Sequence, residues 1–344
     1  MLVPDGVYVD YHIVVDSPGY LNFVSQHGNN MSFEILVNEE NLGAPASRNI
    51  GLNRCYGDYV LFLDDDTTPE RTLLVEYYNK IIVQPNTLGF VGITQFPPPN
   101  NPFTSGILES DILTFFGISK THREVKWGTT SNLLIRRDAI GDIRFSITFP
   151  KAGGGEDIDF CLKILKKTEG TFITVPSAIV HHGWWNNGKR SYKRFFRWAF
   201  GDSLLPLMHK DLMYRNYPNL IESIFIGIPV LLILSILIEF SYIGFFIFLF
   251  ICFLSEIFWE SYRSMKLRNV AKLREVFESA IVRATNDMGR LIGNLSKGNF
   301  QGLCTRFDYF TTGESIPFEK EIASKKFLSY IAASVIALLI SILI

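Results

Sequence analysis

Three consecutive carboxylates, Asp64, Asp65 and Asp66, follow directly on the apolar run Tyr59–Leu63. Side by side they repel one another, and a divalent cation is the usual relief, because alternate positions such as Asp64 and Asp66 can ligate one hard metal. Mn2+ or Mg2+ held there could neutralise a diphosphate and stabilise it as a leaving group. The competing reading is a solvated acidic turn capping the next helix, with Thr67, Thr68 and Pro69 at its start. A second acidic pair, Glu156 and Asp157, stands where Gly153-Gly154-Gly155 opens the helical run Ile158–Lys166. A carboxylate at such a turn can approach an acceptor hydroxyl and take its proton. It can equally serve the helix N-terminus, which favours acids on electrostatic grounds.

Around these acids stand residues suited to holding a ligand. Arg48, Arg194 and Arg197 could grip diphosphate oxygens by charge-assisted hydrogen bonds, although the last two could instead face lipid headgroups. Trp198 suits stacking against an acceptor sugar or lipid, or anchoring at a membrane surface, and the pair Trp184-Trp185 carries the same ambiguity. His181 or His182 could add an imidazole to a metal site, or be a core or loop histidine.

The elements that must position these side chains are legible as apolar runs between turn signals. Residues 7–16 read as a β-branched strand ending at an Asp-Ser-Pro-Gly turn, Phe33–Val37 as a second strand, and Ala46–Tyr56 as a helix closed by Gly57. Strand signals recur at Tyr59–Leu63, Ser131–Ile135 and Phe172–Val175, the last leading into His181-His182-Gly183-Trp184-Trp185. The alternation predicts an α/β sandwich with a mainly parallel sheet, whose ligands bind beyond the carboxyl ends of the strands, where Asp16 and Asp64–Asp66 fall.

The last third is different. Tyr192–Leu207 is basic, aromatic and amphipathic, the pattern of a helix lying on a membrane surface. Three apolar segments follow, at Ser223–Ile238, Phe240–Trp259 and Phe327–Ile344. A bilayer core of about 30 Å needs roughly 20 helical residues, so the second and third fit and the first is slightly short. A helical hairpin turning near Glu239–Tyr242 is the simplest arrangement of the first two. Arg263, Lys266, Arg268, Lys272 and Arg274 after the second span place that loop, and the globular part with it, on the cytosolic side. The expected organisation is a catalytic domain over 1–190, an interfacial segment over 191–220, a transmembrane hairpin over 221–260, a basic cytosolic loop region over 261–326 and a transmembrane helix over 327–344.

Bulk composition narrows the class further. The 344 residues carry a formal net charge of −1, without the basic excess expected of a nucleic-acid binder. The four cysteines are far apart and lack metal-ligand spacing, so neither a disulfide framework nor a zinc site is expected. Residues 1–10 show no signal-peptide pattern. No phosphate-cradling Gly-Lys loop accompanies the acidic triplet, which argues against phosphoryl transfer.

The run Asn41-Leu42-Gly43-Ala44-Pro45-Ala46-Ser47-Arg48-Asn49-Ile50-Gly51, followed by Gly57 to Asp66, resembles the nucleotide-sugar signature of family-2 glycosyltransferases. The resemblance implies a GT-A-like fold and an inverting transfer from a UDP- or GDP-linked sugar to a glycan or lipid acceptor. It implies a donor contact at Asp16 and a metal held by Asp64 and Asp66; side-chain chemistry adds Arg48, Asp64 and Asp65 to the candidate donor set and His182 to the candidate metal ligands. Gly155-Glu156-Asp157 matches the motif whose Asp is the general base, with Glu156 beside it. Arg194-Phe195-Phe196-Arg197-Trp198 resembles the QxxRW motif of polysaccharide synthases, with Arg in place of Gln. The candidate donor set thus includes Arg194 and Arg197 and the candidate acceptor set Trp198, to which the Trp184-Trp185 pair adds Trp185. The chain departs from the pattern in two ways: the family's first strand is expected to be missing ahead of Asp16, and Ser17 stands where a second acid is common. A binding protein that keeps the fold without activity is the alternative those departures imply.

Overall fold

The computed structural model describes residues 1–20, 33–237, 242–269 and 272–343. The expected turn near Glu239–Tyr242 lies largely outside the described residues. The chain forms two compact units, one of residues 1–98 with 113–187 and the other of 99–112 with 188–344.

The first unit opens with a parallel pair, β1 (His12–Val15) and β2 (Glu34–Val37), in register from His12 opposite Glu34 to Val15 opposite Val37. Helix α1 (Ala44–Arg54) follows and begins with Pro45, whose missing N–H costs nothing in a first turn. Gly43 before it has φ 89°, and a Cβ there would lie 2.5 Å from the Lys151 backbone, so no other residue fits the approach. Strand β3 (Tyr59–Leu63) leads through the acidic turn to the short β4 (Thr67–Pro69), α2 (Leu73–Val83) and β5 (Gly89–Gln95). The chain then leaves for α3 (Pro102–Glu109) of the other unit and returns through β6 (Glu124–Val125), β7 (Asn132–Arg136), α4 (Glu156–Lys167) and β8 (Phe172–His182).

These strands form a sheet of order β3-β7-β5-β8-β4, with β6 on β8. The α/β class is as expected, but the sheet is mixed: β5 and β8 run parallel, whereas β3–β7, β5–β7, β4–β8 and β6–β8 are antiparallel. Apolar runs fix that a strand forms, not its direction, which is set by the connections between strands. Among the described residues β1 and β2 pair only with each other, as a sheet of their own. Leu73, Tyr77, Phe90, Leu134, Val175, Ala178 and Val180 fill the core. Buried Asn132 ties three elements: its amide donates to the carbonyls of Ile93 and Ala178, at 3.0 and 2.9 Å, and its oxygen accepts from Tyr77 at 2.7 Å. Gly92, at the register shift of β5 against β8, leaves the room this needs; a Cβ there would stand 2.2 Å from the Asn132 amide.

The second unit is helical. α3 carries a full capping box between Asn101 and Thr104. α5 (Lys193–Asp202) packs on α8 (Leu273–Ser296), between which lie β9 (Met213–Arg215), α6 (Leu220–Leu237) and α7 (Tyr242–Arg268). β10 (Thr305–Phe307) pairs antiparallel with β9, and α9 (Ile316–Leu343) ends the chain. Among the described residues, Ile243–Arg268 and Ile316–Leu343 are the two helices long and apolar enough to cross a membrane, and α6 is shorter. The stretch 261–326 is far from a loop. Val276, Ala280, Val282 and Leu291 are buried along α8, which packs on both α3 and α5.

Candidate active site

Asp16 follows β1 and organises the loop that leads into α1. One of its oxygens accepts from the Asn38 amide at 2.9 Å and the Leu42 N–H at 2.7 Å, and the other from the Gly43 N–H at 2.7 Å. Burial pushes this carboxyl up, but the hydrogen bonds outweigh it and hold Asp16 below the usual carboxylate range. Asn38 also donates to Ser47 of α1 at 3.0 Å. Nothing in the sequence marks Asn38 as a partner of Asp16; only the parallel register brings it to the end of β2.

Arg48 joins three elements. From α1 its Nη1 donates to Glu156 Oε1 of α4 at 2.7 Å, and its Nη2 lies 3.6 Å from Asp64 Oδ1 beyond β3. The guanidinium also lies over the Phe145 ring, 5.7 Å from its centroid. Burial alone would lower the Arg48 pKa, yet Glu156, Asp64 and Asp157 raise it, so this cation is permanent. Asp64 is pushed up by burial and by Asp66, against the pull of Arg48 and His182. Glu156 is buried and has both oxygens engaged, the second accepting from the Gly154 N–H at 2.6 Å. Asp157, next along, is half-buried in the first turn of α4, behind Gly153, Gly154 and Gly155, all at positive φ.

The histidines separate by strand alternation, since successive side chains on β8 point to opposite faces. His181 is exposed and lies 3.1 Å from Glu70. His182 is buried, its Nδ1 donates to the Gly183 carbonyl at 2.5 Å, and its Nε2 lies 3.1 Å from Asp66 Oδ2. Burial would lower the His182 pKa, but the Asp66 carboxylate and the Gly183 carbonyl raise it above the ordinary value. Phe96 stacks on the imidazole with centroids 4.9 Å apart, and Trp185 meets it edge-on at 5.1 Å. Trp184 is buried, and its indole donates to the Pro98 carbonyl at 3.3 Å. Phe96 and Phe116, which complete this aromatic wall at 5.3 Å from each other, escaped the sequence reading because they flank irregular segments with no periodicity.

The donor chemistry of Asp66 and His182 suits a hard or borderline divalent ion. Neighbouring ligands around such an ion, each at about 2.1 Å, stand roughly 3 Å apart, which is the separation of Asp66 Oδ2 from His182 Nε2. The Nδ1 bond to a backbone carbonyl is the usual second-shell support of a ligating histidine. Among the described residues no three His, Cys, Asp or Glu side chains gather closely enough to hold an ion alone.

Arg194, Arg197 and Trp198 belong to α5, in the second unit. The Arg194 guanidinium lies over the Trp198 ring at 5.8 Å, Trp198 meets Phe195 edge-on at 6.0 Å, and Arg197 is exposed. α5 is not simply a surface helix, for Phe195 and Ala199 are buried.

Residues 59–259 match the family model described as glycosyl transferase family group 2. A protein named cholesterol galactosyltransferase, from Borreliella burgdorferi, is 27% identical over 232 residues, 63% of this chain and 57% of its own length. A pre-mycofactocin glycosyltransferase from Mycobacterium tuberculosis is 27% identical over 172 residues, 47% of this chain and 34% of its own length. The chain thus spans about half or less of the curated relatives it matches. Among solved structures, a mannosyltransferase from Pyrobaculum calidifontis in complex with GDP-Man and Mn2+ aligns over 96% of this chain and 77% of its own, at 12% identity and a TM-score of 0.39.

Proposed function

This chain belongs to glycosyl transferase family group 2, and from that premise we propose that it is an inverting glycosyltransferase. It moves a sugar from a UDP- or GDP-linked donor to a glycan or lipid acceptor at the cytosolic face of a membrane. The observation that carries the reading is the convergence of Asp64, Arg48 and Glu156 beside the Asp66–His182 pair, at the ends of β3 and β8.

Each residue has a role that its surroundings support. A divalent cation, Mn2+ or Mg2+, held by Asp66 and His182 with Asp64 behind them, would neutralise the departing diphosphate. Asp16 and the loop it organises, with Asp65, take the donor's nucleotide. In the second unit, Arg194 and Arg197 of α5 suit diphosphate oxygens. Arg48 fixes the orientation of Asp64. Asp157 takes the acceptor hydroxyl's proton while the nucleotide leaves from the opposite face. Glu156, saturated by Arg48 and Gly154, positions that turn instead of exchanging protons. Trp185 in the first unit and Trp198 in the second each carry a ring suited to stacking on a sugar or lipid. Similarity to a protein named for a sterol acceptor favours a lipid. The basic residues that follow the apolar part of α7 favour a cytosolic catalytic unit.

One observation favours an inactive protein with a binding role instead: among the described residues β1–β2, which leads into Asp16, pairs with no strand of the sheet that carries Asp64. The deciding assay is metal-dependent release of nucleoside diphosphate from a panel of UDP- and GDP-sugars by the detergent-purified chain. The transferase reading requires release that is lost in Asp66→Ala and Asp157→Asn; silence over the whole panel establishes the inert one.

A further inference from the structure

Three helices in the second unit carry apolar exteriors. On α7 Phe250 and Phe258 are 60% and 62% exposed; on α9 Leu328 is 64% exposed; on α6 Val230 is 51% exposed. The helices pack together through Leu231, Phe248, Cys252, Tyr330, Ala333 and Ala337. α6 therefore shares an apolar surface with the two longer helices, although its own length is short of a span.

At one end of that surface, lysines and aromatic rings alternate. Lys325 Nζ lies 4.9 Å from the Tyr262 ring and 5.6 Å from Trp259. Lys266 lies 5.0 Å from Phe318 and 6.0 Å from Tyr262. Lys320 lies 5.7 Å from Tyr214. The Trp259 indole donates to Ser329 at 2.9 Å, tying α7 to α9 at this height. Glu321, at 2.6 Å from Lys325 and 3.2 Å from Lys266, leaves the group with a net positive charge.

Adjacent lysines divide the work. Lys326 turns inward, 2.5 Å from Glu256 and 2.6 Å from Glu260, and Arg283 of α8 lies 3.2 Å from Glu260. Tyr330 donates to the second oxygen of Glu256 at 2.6 Å. The charges inside the bundle thus satisfy one another, and they need no lipid. Lys266 and Lys320 are exposed and Lys325 is half-buried, none of the three joining the inner cluster. Aromatic rings and snorkelling lysines in one layer are what a membrane–water boundary selects.

Resting on the membrane-anchored reading above, we propose that Trp259, Tyr262 and Phe318 mark the headgroup level of a bilayer that contains α6, α7 and α9, and that Lys266, Lys320 and Lys325 bind the phosphates of anionic phospholipids there. The outer lysines supply the charge complementary to such headgroups, and the rings keep their ammonium groups at phosphate height.

The test places the full chain in vesicles of phosphatidylcholine and phosphatidylglycerol brominated at shallow or at deep acyl positions. Trp259 emission is read as the difference between wild type and Trp259→Phe. Phe250→Trp in the Trp259→Phe background is the second reporter, nine residues and about 13 Å further along the helix. Trp259 should be quenched most by shallow bromines and the reporter at position 250 most by deep ones. Maximal quenching of Trp259 by deep bromines overturns the boundary while leaving the membrane reading intact. No quenching of either reporter overturns both. In parallel, spin-labelled phosphatidylglycerol should be preferred over phosphatidylcholine at the protein surface. Substituting Lys266, Lys320 and Lys325 together by Gln should cut that preference, by roughly fivefold per lysine. A preference absent from wild type, or intact in the triple variant, removes the lysines from phosphate binding.

Discussion

His182 meets Asp66 through Nε2 at 3.1 Å while its Nδ1 donates to the Gly183 carbonyl at 2.5 Å, so both ring nitrogens face acceptors and the protonated imidazole is favoured. A metal at this pair displaces the Nε2 proton, which couples metal binding to pH. Because the His182 pKa is raised by its neighbours, that proton persists above the ordinary histidine range. The Mn2+ concentration for half-maximal nucleoside diphosphate release should therefore fall as pH rises through the His182 titration. His182→Gln should weaken metal use by on the order of 10–100-fold and abolish this pH dependence. His181→Gln, on the outer face, should leave both unchanged. Metal titrations at several pH values check all three.

Arg48 and Glu156 predict a division between stability and chemistry. Glu156 is buried, and removing Arg48 leaves its charge uncompensated, which costs about 3–5 kcal/mol for a buried pair. Arg48→Met should accordingly lower the melting temperature sharply, and Arg48→Met with Glu156→Gln should recover part of the loss. Asp157→Asn should leave the melting temperature close to wild type and remove transfer to an acceptor. Calorimetry beside a product assay separates the two roles.

Much of the candidate site is legible in the sequence because its acids stand in consecutive residues. Asp64 to Asp66 end a strand, and Glu156-Asp157 open a helix after three glycines, so residue type and element boundary coincide. What escaped depends on chain direction and on contacts distant in sequence. The mixed sheet could not be read, because apolar runs carry no sign for parallel or antiparallel pairing. Glu156 looked like half of a catalytic pair; only the fold shows Arg48, more than one hundred positions earlier, occupying it. The helix at Leu273–Ser296 was hidden inside a stretch that reads as basic loop when its residues are averaged. Arg263 and Arg268 count there only as basic residues, and the fold adds that each pairs with Asp111.

Asp16 makes a pH prediction with a definite sign. Its folded pKa is held below the ordinary value, so its contribution to stability is fully present above that value and is lost as pH falls through the folded one. The window thus lies below about pH 4, the usual carboxylate range. Asp16→Asn should be less stable than wild type at neutral pH, since its amide nitrogen would face the Leu42 or Gly43 N–H groups that now donate to it. The difference should shrink as both proteins are acidified. Denaturant melts at neutral and acidic pH measure it.

In the helical unit, Gly289 of α8 permits the closest approach of α5. A Cβ at that position would stand 2.2 Å from the Phe196 carbonyl oxygen, backbone that has no rotamer by which to withdraw. Alanine improves intrinsic helix propensity by about 1 kcal/mol, whereas overpacking a close contact costs typically 1–3 kcal/mol. The second effect should prevail. Gly289→Ala should lower stability, and Gly289→Val, which adds branching against the same carbonyl, should lower it further. Gly298 offers the control for space: nothing lies within 4 Å of its missing Cβ, but its φ of 64° penalises alanine through backbone strain alone. Thermal melts of the three variants in detergent distinguish the causes, because only the Gly289 pair should show a loss that grows with side-chain size.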